Sequence, residues 1–261
     1  MSIVFAAITP HSPLLLPTIG KEHVNQLSAT RIAFSQLAED MYSHKIETLL
    51  IISPHCTVKN SAFLINQSPE FIANLEKFGD FTTKSNYQGD LGLTHEIREG
   101  LEVEAPLNLI TMSELDYGSL IPLELLTMGL KPQIMPVYPS TGNLQDHFIF
   151  GQQLKNFLIS SPKRIGIIAS SDLSHKHAVS APAGYSPKAQ KFDYKVIELL
   201  QKKQTSDLLN LKPELLAEVA ECGLRPISIL LGILDKTNYS VQKLSYESPF
   251  GVGYLTMKFN I

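Results

Sequence analysis

The sequence predicts one α/β domain over residues 1–261, a three-layer αβα sandwich around a central mixed, mostly parallel sheet. Three observations predict it. Short, continuous apolar runs are typical of strands buried on both faces. Longer amphipathic stretches alternate with these runs, as in α/β proteins. The last two predicted strands follow each other without a helix between them, which indicates an antiparallel pair and hence a mixed sheet.

The first half of the chain predicts strands at 3–8, 48–52 and 107–111. Between the first two, residues 21–44 place apolar side chains at helical spacing. These are Val24, Leu27, Ile32, Phe34, Leu37 and Met41. Residues 118–129 are the next predicted helix.

The second half predicts strands at 133–138 and 165–169, with helices at 144–160 and near 187–202. Residues 215–234 are expected to be largely helical. The closing strands are predicted near 241–246 and 252–259.

Composition excludes several classes of protein. The chain has 44% hydrophobic and 18% charged residues, so it is not a disordered segment. The net charge is −3 and no block of Lys and Arg occurs, which argues against nucleic acid as a partner. No apolar run approaches the ~18 residues of a membrane span. The N-terminus lacks the basic region of a signal peptide, so we expect a cytoplasmic protein without membrane attachment.

Three apolar runs end in a polar turn that carries a histidine. These turns are Thr-Pro-His11, Ser-Pro-His55 and Ser-Asp-Leu-Ser-His175. In open α/β sheets, ligands bind beyond the carboxyl ends of the strands. We therefore expect the three imidazoles to share one site. Proline fixes its own φ and keeps the preceding residue extended, so the first two imidazoles leave their strands in a defined direction.

The other histidines are interpreted differently. Those at positions 23, 44, 95 and 147 lie in amphipathic stretches and are expected at the surface. His177, two residues after His175, is left open as a group that supports the site from outside.

Imidazole is a common ligand of Fe, Zn and other late metals, and two histidines with one carboxylate form the facial triad of non-haem Fe(II) oxygenases. A third, metal-free histidine suits a general base. Asp116, Asp172 and Glu221 are candidates for the carboxylate, and spacing does not choose among them. Cys222 adds a thiolate as a further ligand. A disulfide between Cys56 and Cys222 stays open, although the expected compartment argues against it.

Other catalytic motifs are missing from the sequence. It has no Walker or Rossmann glycine loop, no Cys-x-x-Cys, no His-Glu-x-x-His and no Gly-x-Ser-x-Gly. Nucleotide-binding and α/β-hydrolase functions are therefore not supported.

Six short segments together resemble one family. In chain order they are ITPHSPLLLP (8–17), IISPH (51–55), LDYGSLIPL (115–123), SDLSH (171–175), ECGLRPI (221–227) and SPFGVGY (248–254). They resemble the class III extradiol dioxygenase superfamily, the LigB type. The resemblance is closest to the branch that contains protein B of the AmmeMemoRadiSam system and the Memo proteins. It spans nearly the whole chain and implies the LigB-like sandwich.

The resemblance also implies roles for individual residues. His11 and His55 match the two histidine ligands of the metal, and Glu221 matches the carboxylate that completes the triad. In the Memo branch a cysteine at the position of Cys222 lies at the metal site instead. These two interpretations compete, and the sequence favours Glu221. His175 matches the histidine that acts as acid and base on substrate and dioxygen.

One departure from the family pattern concerns substrate and activity. Many ring-cleaving members have Asp-His-Gly where this chain has Asp116-Tyr117-Gly118. The imidazole is lost, but the phenol of Tyr117 can still donate a hydrogen bond. We therefore assign Asp116 and Tyr117, with His175, to the catalytic group.

The implied activity is Fe(II)-dependent cleavage of a catechol- or aminophenol-like ring with O2. The alternatives are a Memo-like metal-binding protein without ring cleavage and a Zn-dependent enzyme on the same scaffold. The expected partners are a small aromatic substrate and O2. A homodimer and a small second subunit, as in some relatives, both stay open.

Overall fold

A computed structural model of the protein describes residues 2–58, 61–101, 105–127 and 129–261. Within this part of the chain, eight strands form one sheet in the order β6-β3-β7-β2-β8-β1-β10-β9, and β4 pairs with β5. The strands are β1 (Ile3–Thr9), β2 (Thr48–Ile52), β3 (Phe63–Asn66), β4 (Glu70–Ile72), β5 (Asn86–Gln88), β6 (Leu107–Ile110), β7 (Gln133–Tyr138), β8 (Ile165–Ser170), β9 (Ser240–Glu247) and β10 (Tyr254–Asn260).

Helices cover both faces of the large sheet. They are α1 (Pro17–Gly20), α2 (Ser28–Ser43), α3 (Leu91–Leu101), α4 (Tyr117–Leu126), α5 (Leu144–Ser160), α6 (Ala189–Gln201), α7 (Thr205–Leu209), α8 (Pro213–Val219) and α9 (Leu224–Ile233). Helices α2 and α4 pack on one face, and α3, α5, α6 and α9 pack on the other. The predicted three-layer sandwich is confirmed.

Strand β2 explains why the central strands are apolar throughout. Leu50 and Ile52 belong to the core under α5 and α9, whereas Leu49 and Ile51 belong to the core under α2 and α4. Successive side chains of a strand point to opposite faces, so both sets are buried. The parallel pairings β1–β8, β8–β2 and β2–β7 form the centre of the sheet. The antiparallel pairings of β10 with β1 and β9 confirm that the sheet is mixed.

Several element boundaries differ from the predictions. The helix predicted over 21–44 begins as a 3-10 helix at Lys21–Leu27 and becomes α-helical at Ser28. The helix predicted over 118–129 ends at Leu126, and residue 128 lies outside the described residues. Strands β3, β4 and β5 and helix α3 were not predicted.

Residues 215–234 are largely helical, as predicted, and they form two helices, because Ala220 adopts a left-handed conformation (φ 53°) that ends α8. One further expectation is corrected by the structure. His147 is buried, not at the surface, because it lies on the face of α5 that packs against Phe63. Its two ring nitrogens contact the backbone oxygens of Asn143 and Ser140.

None of the helices in the described ranges combines the length and the apolar character that crossing a membrane requires.

At the amino ends of β2 and β7, a buried carboxylate ties the sheet to α3. Asp90 accepts hydrogen bonds from Thr48 Oγ1 at 2.6 Å, Lys163 Nζ at 2.7 Å and the backbone N–H of Leu93 at 3.1 Å. Burial raises the pKa of this carboxyl, but the bonds from Lys163, Thr48 and Leu93 outweigh it, and the net pKa is lowered.

We expect Asp90→Asn to lower the free energy of unfolding at pH 7 by about 1–3 kcal/mol, because charge-assisted hydrogen bonds are lost. A carboxylate with a lowered folded-state pKa stabilises the fold above its unfolded pKa of about 3.9 and loses this effect as pH falls through the folded value. The difference between wild type and variant should therefore shrink below about pH 4. Urea unfolding at several pH values measures it, with the exposed Glu99→Gln as control. A pH-independent difference would contradict this account.

Candidate metal centre

The register of three neighbouring strands brings two histidines together. Ala169 of β8 pairs with Ile8 of β1 on one side and with Ile52 of β2 on the other. His11 and His55 each lie three residues beyond the paired residue, so they leave the same edge of the sheet at the same level. Their Nε2 atoms are 2.9 Å apart.

The tautomer of His11 follows from the hydrogen bonds of Ser170. The Ser170 hydroxyl donates to the backbone oxygen of Gly118 at 2.6 Å, so its oxygen accepts from His11 Nδ1, 2.9 Å away. The proton of His11 is therefore on Nδ1, and the lone pair of Nε2 faces His55. Such a bond from the far nitrogen is typical of histidines that bind metals.

Asp116 positions the turn that carries His55. Its side chain caps α4 by accepting from the backbone N–H of Ser119 at 3.0 Å, and it also accepts from the Ser119 hydroxyl at 2.7 Å. The hydroxyl of Ser53 donates to the same carboxylate. The structure thus places the Asp116 carboxylate in contact with Ser53 of the His55 turn and Ser119 of α4.

Tyr117, the first residue of α4, lies directly on His55. Their rings stack with centroids 4.4 Å apart, and the phenol oxygen is 2.9 Å from His55 Nε2. The ring of Phe78 also packs edge-on against the phenol ring, with centroids 5.5 Å apart. Burial raises the pKa of the phenol, so it stays protonated and can donate a hydrogen bond.

The break between α8 and α9 carries the two residues that compete as third ligand. The sulfur of Cys222 is 3.6 Å from His11 Nε2. The carboxylate of Glu221 instead accepts from the backbone N–H of Leu224 at 2.7 Å, at the start of α9. Cys56 and Cys222 are both free thiols, so the disulfide left open by the sequence is not formed.

Glu221 lines a separate cavity of about 750 Å³ between α5 and α8. Gly142, Leu144, Leu211, Leu216 and Arg225 are among the other lining residues. Burial raises the pKa of the Glu221 carboxyl to about 7. The structure therefore brings His11, His55 and Cys222 together and leaves Glu221 outside this group.

The three donor atoms suit one transition-metal ion. His11 Nε2, His55 Nε2 and Cys222 Sγ all lie within 4.8 Å of one another. Metal–nitrogen bonds of about 2.0–2.1 Å and metal–sulfur bonds of about 2.3 Å place neighbouring ligand atoms at comparable separations. A cation between the imidazoles would also accept the lone pair that His11 directs at His55.

The two imidazoles are neutral, as an imidazole must be to bind a metal ion. Burial, together with the charge of His175, lowers the pKa of His11 to about 3. Burial and the charge of His11 lower that of His55 to about 4. Burial raises the pKa of the Cys222 thiol, so a metal would have to displace its proton.

Asp172, one of the carboxylates suggested by the sequence, lies beside this group. Its Oδ1 accepts from the backbone N–H of His11 at 3.1 Å, and its Oδ2 is 3.4 Å from His11 Nε2. Burial raises the pKa of Asp172 to about 6, against the opposing effects of His175, the His11 N–H and His55. The spacing of the sequence does not distinguish Asp172 from Asp116, but the structure places Asp172 beside the donor group.

His175 follows β8 and is close enough for its charge to act on His11, His55 and Asp172. Its backbone N–H donates to the oxygen of Val219 at 3.1 Å. Its Nδ1 is buried and forms no hydrogen bond with the described residues. This nitrogen is thus uncommitted and available for acid–base chemistry next to the donor group.

Two residues that contact the site histidine His11 or the loop around His175 were missed in the sequence: Ser170 accepts from the ring of His11, and Asp193 accepts from the backbone N–H of Ser174. Ser170 is the last residue of β8 and lies one position beyond the predicted strand. Only the register of the folded sheet shows that it lies next to His11. Asp193 did leave a signal. It occurs on α6 at helical spacing with Val196, Ile197 and Leu200, so a carboxylate occupies the apolar face of a helix.

Comparison with known proteins bears on the family and the fold of the chain. A family model described as the catalytic LigB subunit of aromatic ring-opening dioxygenase matches residues 5–257. Protein CA_C1420 from Clostridium acetobutylicum is 25% identical over 270 residues, which are 99% of this chain and 58% of that protein. The chain therefore spans little more than half the length of this relative.

A solved structure has the same fold. The crystal structure of the uncharacterized protein JW3007 from Escherichia coli K12 matches with a TM-score of 0.70 and 16% identity, over 98% of this chain and 99% of that one. The match to the family model covers nearly the whole sequence, from the first strand to the last. The chain belongs to the family of the catalytic LigB subunit of aromatic ring-opening dioxygenases.

Proposed function

We propose that this protein is a metal-dependent oxidoreductase that uses O2 to open the ring of a small catechol- or aminophenol-like substrate. The observation that carries the proposal is the donor group of His11, His55 and Cys222 at the carboxyl edge of a LigB-family sheet. The uncommitted imidazole of His175 beside this group supports an acid–base reaction there.

The metal we propose is Fe(II), with Zn as the alternative on the same donors. His11 and His55 would hold it, and Cys222 is the third ligand favoured by the structure over Glu221. When bound, Fe(II) would supply the redox chemistry with O2 and acidify the hydroxyl groups of a bound diol.

The residues of the chain supply the proton transfers and the orientation. His175 would take a proton from a substrate hydroxyl as the imidazole base and return it to the opened product as the imidazolium acid. The phenol of Tyr117, which lies beside His55 Nε2, would donate a hydrogen bond to a substrate bound on that side of the site. Asp116 would keep the His55 turn in place through Ser53.

A second candidate is a Memo-like metal-binding protein that does not cleave rings. Two observations favour it. Cys222, not a carboxylate, joins the two histidines, and Tyr117 contacts His55 where many ring-cleaving members have a histidine. A soft thiolate donor also suits Zn or copper. The two candidates share the metal and differ in oxygen chemistry.

His11→Ala and His55→Ala should each reduce metal affinity at least about 10- to 100-fold, since each removes a ligand. The measurement is metal content after anaerobic loading with Fe(II) or Zn and gel filtration. His95→Ala, an exposed histidine on α3, is the control and should retain the metal. Full occupancy in both ligand variants would refute the assignment of the centre.

Cys222→Ala and Glu221→Gln separate the two candidates for the third ligand. We expect Cys222→Ala to weaken metal binding about 10-fold or more and Glu221→Gln to leave it unchanged. The amide of Gln can still accept from the N–H of Leu224, so α9 should keep its first turn. The reverse pattern would restore Glu221 as the ligand.

Fe(II)-loaded protein should consume O2 in the presence of a catechol or aminophenol and form a yellow ring-opened product. His175→Gln should bind the same amount of iron but turn over about 10²–10⁴-fold more slowly. An oxygen electrode and an absorbance spectrum measure both. If iron is held tightly and no member of a broad substrate panel causes O2 uptake, the Memo-like function is favoured instead.

A further inference from the structure

One buried carboxylate anchors the loop that carries His175. Asp193 on α6 is fully buried. Its Oδ1 accepts from the backbone N–H of Ser174 at 2.9 Å. Its Oδ2 lies 2.7 Å from His177 Nε2 and accepts from the hydroxyl of Tyr246 at 2.8 Å. Asp193 thus binds the chain on both sides of His175, one residue before it and two residues after it.

These anchors matter because the ring of His175 lacks a hydrogen bond at its buried nitrogen. Its Nδ1 forms no hydrogen bond with the described residues. The direction of the imidazole therefore depends on the chain around it, which Asp193 holds through the backbone N–H of Ser174 and the side chain of His177. The N–H of His175 adds one more bond, to the oxygen of Val219.

Asp193 is closely packed against Gly253, the residue that precedes β10. A methyl group added at Gly253 would lie 1.9 Å from Asp193 Oδ2. Gly253 also exchanges two backbone bonds of 2.8 Å with the loop, one from the N–H of Leu173 and one to the oxygen of Ser174. A close-packed carboxylate with three donors has little freedom to shift.

We propose that Asp193 is a positioning residue that aims His175 at the metal centre, with His177 as its second point of attachment to the loop. The role of His175 as the acid–base group rests on the proposed function, but the positioning itself rests on the contacts of Asp193. Misplacement of a catalytic group by about 1 Å can cost about 100-fold in rate. His177, left open by the sequence, thereby serves the site through Asp193.

The test is NMR of the full chain labelled with 13Cε1-histidine, which reports on His175 without substrate or turnover. His175→Gln assigns the signal. In wild type we expect one sharp His175 signal, and in Asp193→Asn a displaced or broadened one, because the amide nitrogen cannot accept from His177. The His95 signal should stay in place. Thermal unfolding of each variant confirms that it is folded.

His177→Ala and His177→Gln test the same point if Asp193→Asn folds poorly. Alanine should reproduce the perturbed His175 signal, and glutamine, whose amide can donate to Asp193, should restore it. In O2 uptake, Asp193→Asn should lower kcat about 10-fold or more with little change in KM or iron content. Asp207→Asn, at an exposed position of α7, is the matched control.

The outcomes separate the two proposals. An unchanged His175 signal in folded Asp193→Asn and His177→Ala overturns the positioning role, whatever the activity. A perturbed signal in both supports it. If wild type consumes no O2 with any substrate but the signal moves, the proposed function fails while the positioning role stands.

Discussion

Parallel pairing of β8 with both β1 and β2 is the constraint on which this molecule depends. A parallel strand places its carboxyl end beside those of its neighbours. Here one residue of β8, Ala169, pairs with Ile8 of β1 on one side and with Ile52 of β2 on the other. The two-histidine part of the metal centre follows from that alignment. His11 and His55 meet because they are equally far from it, and Ser170 holds His11 because it is the next residue of the same strand.

Much of this arrangement could be predicted from local patterns. Apolar runs identified the central strands, and the turns after them identified His11, His55 and His175. The pattern failed where an element is short or half exposed. Strands β4 and β5 have three residues each, with single buried residues at Phe71 and Tyr87, which is too little for a periodicity.

The choice between Glu221 and Cys222 shows a different limit. The two residues are adjacent, so no spacing argument separates them. Their directions are set by the left-handed Ala220 before them and by the start of α9 after them. Both are properties of the folded backbone. Similarly, the carboxylate of Asp172 reaches His11 because β8 adjoins β1, a pairing between residues 161 positions apart.

The hydroxyl of Ser170 has a consequence for the modularity of the fold. It joins the ring of His11 to the backbone of Gly118, and the neighbour of Gly118, Tyr117, lies on His55. The end of β8, the turn after β1 and the first turn of α4 are therefore one mechanical unit. A designer who grafts the two histidines onto another sheet would have to transplant this turn of helix with them, or lose the orientation of both rings.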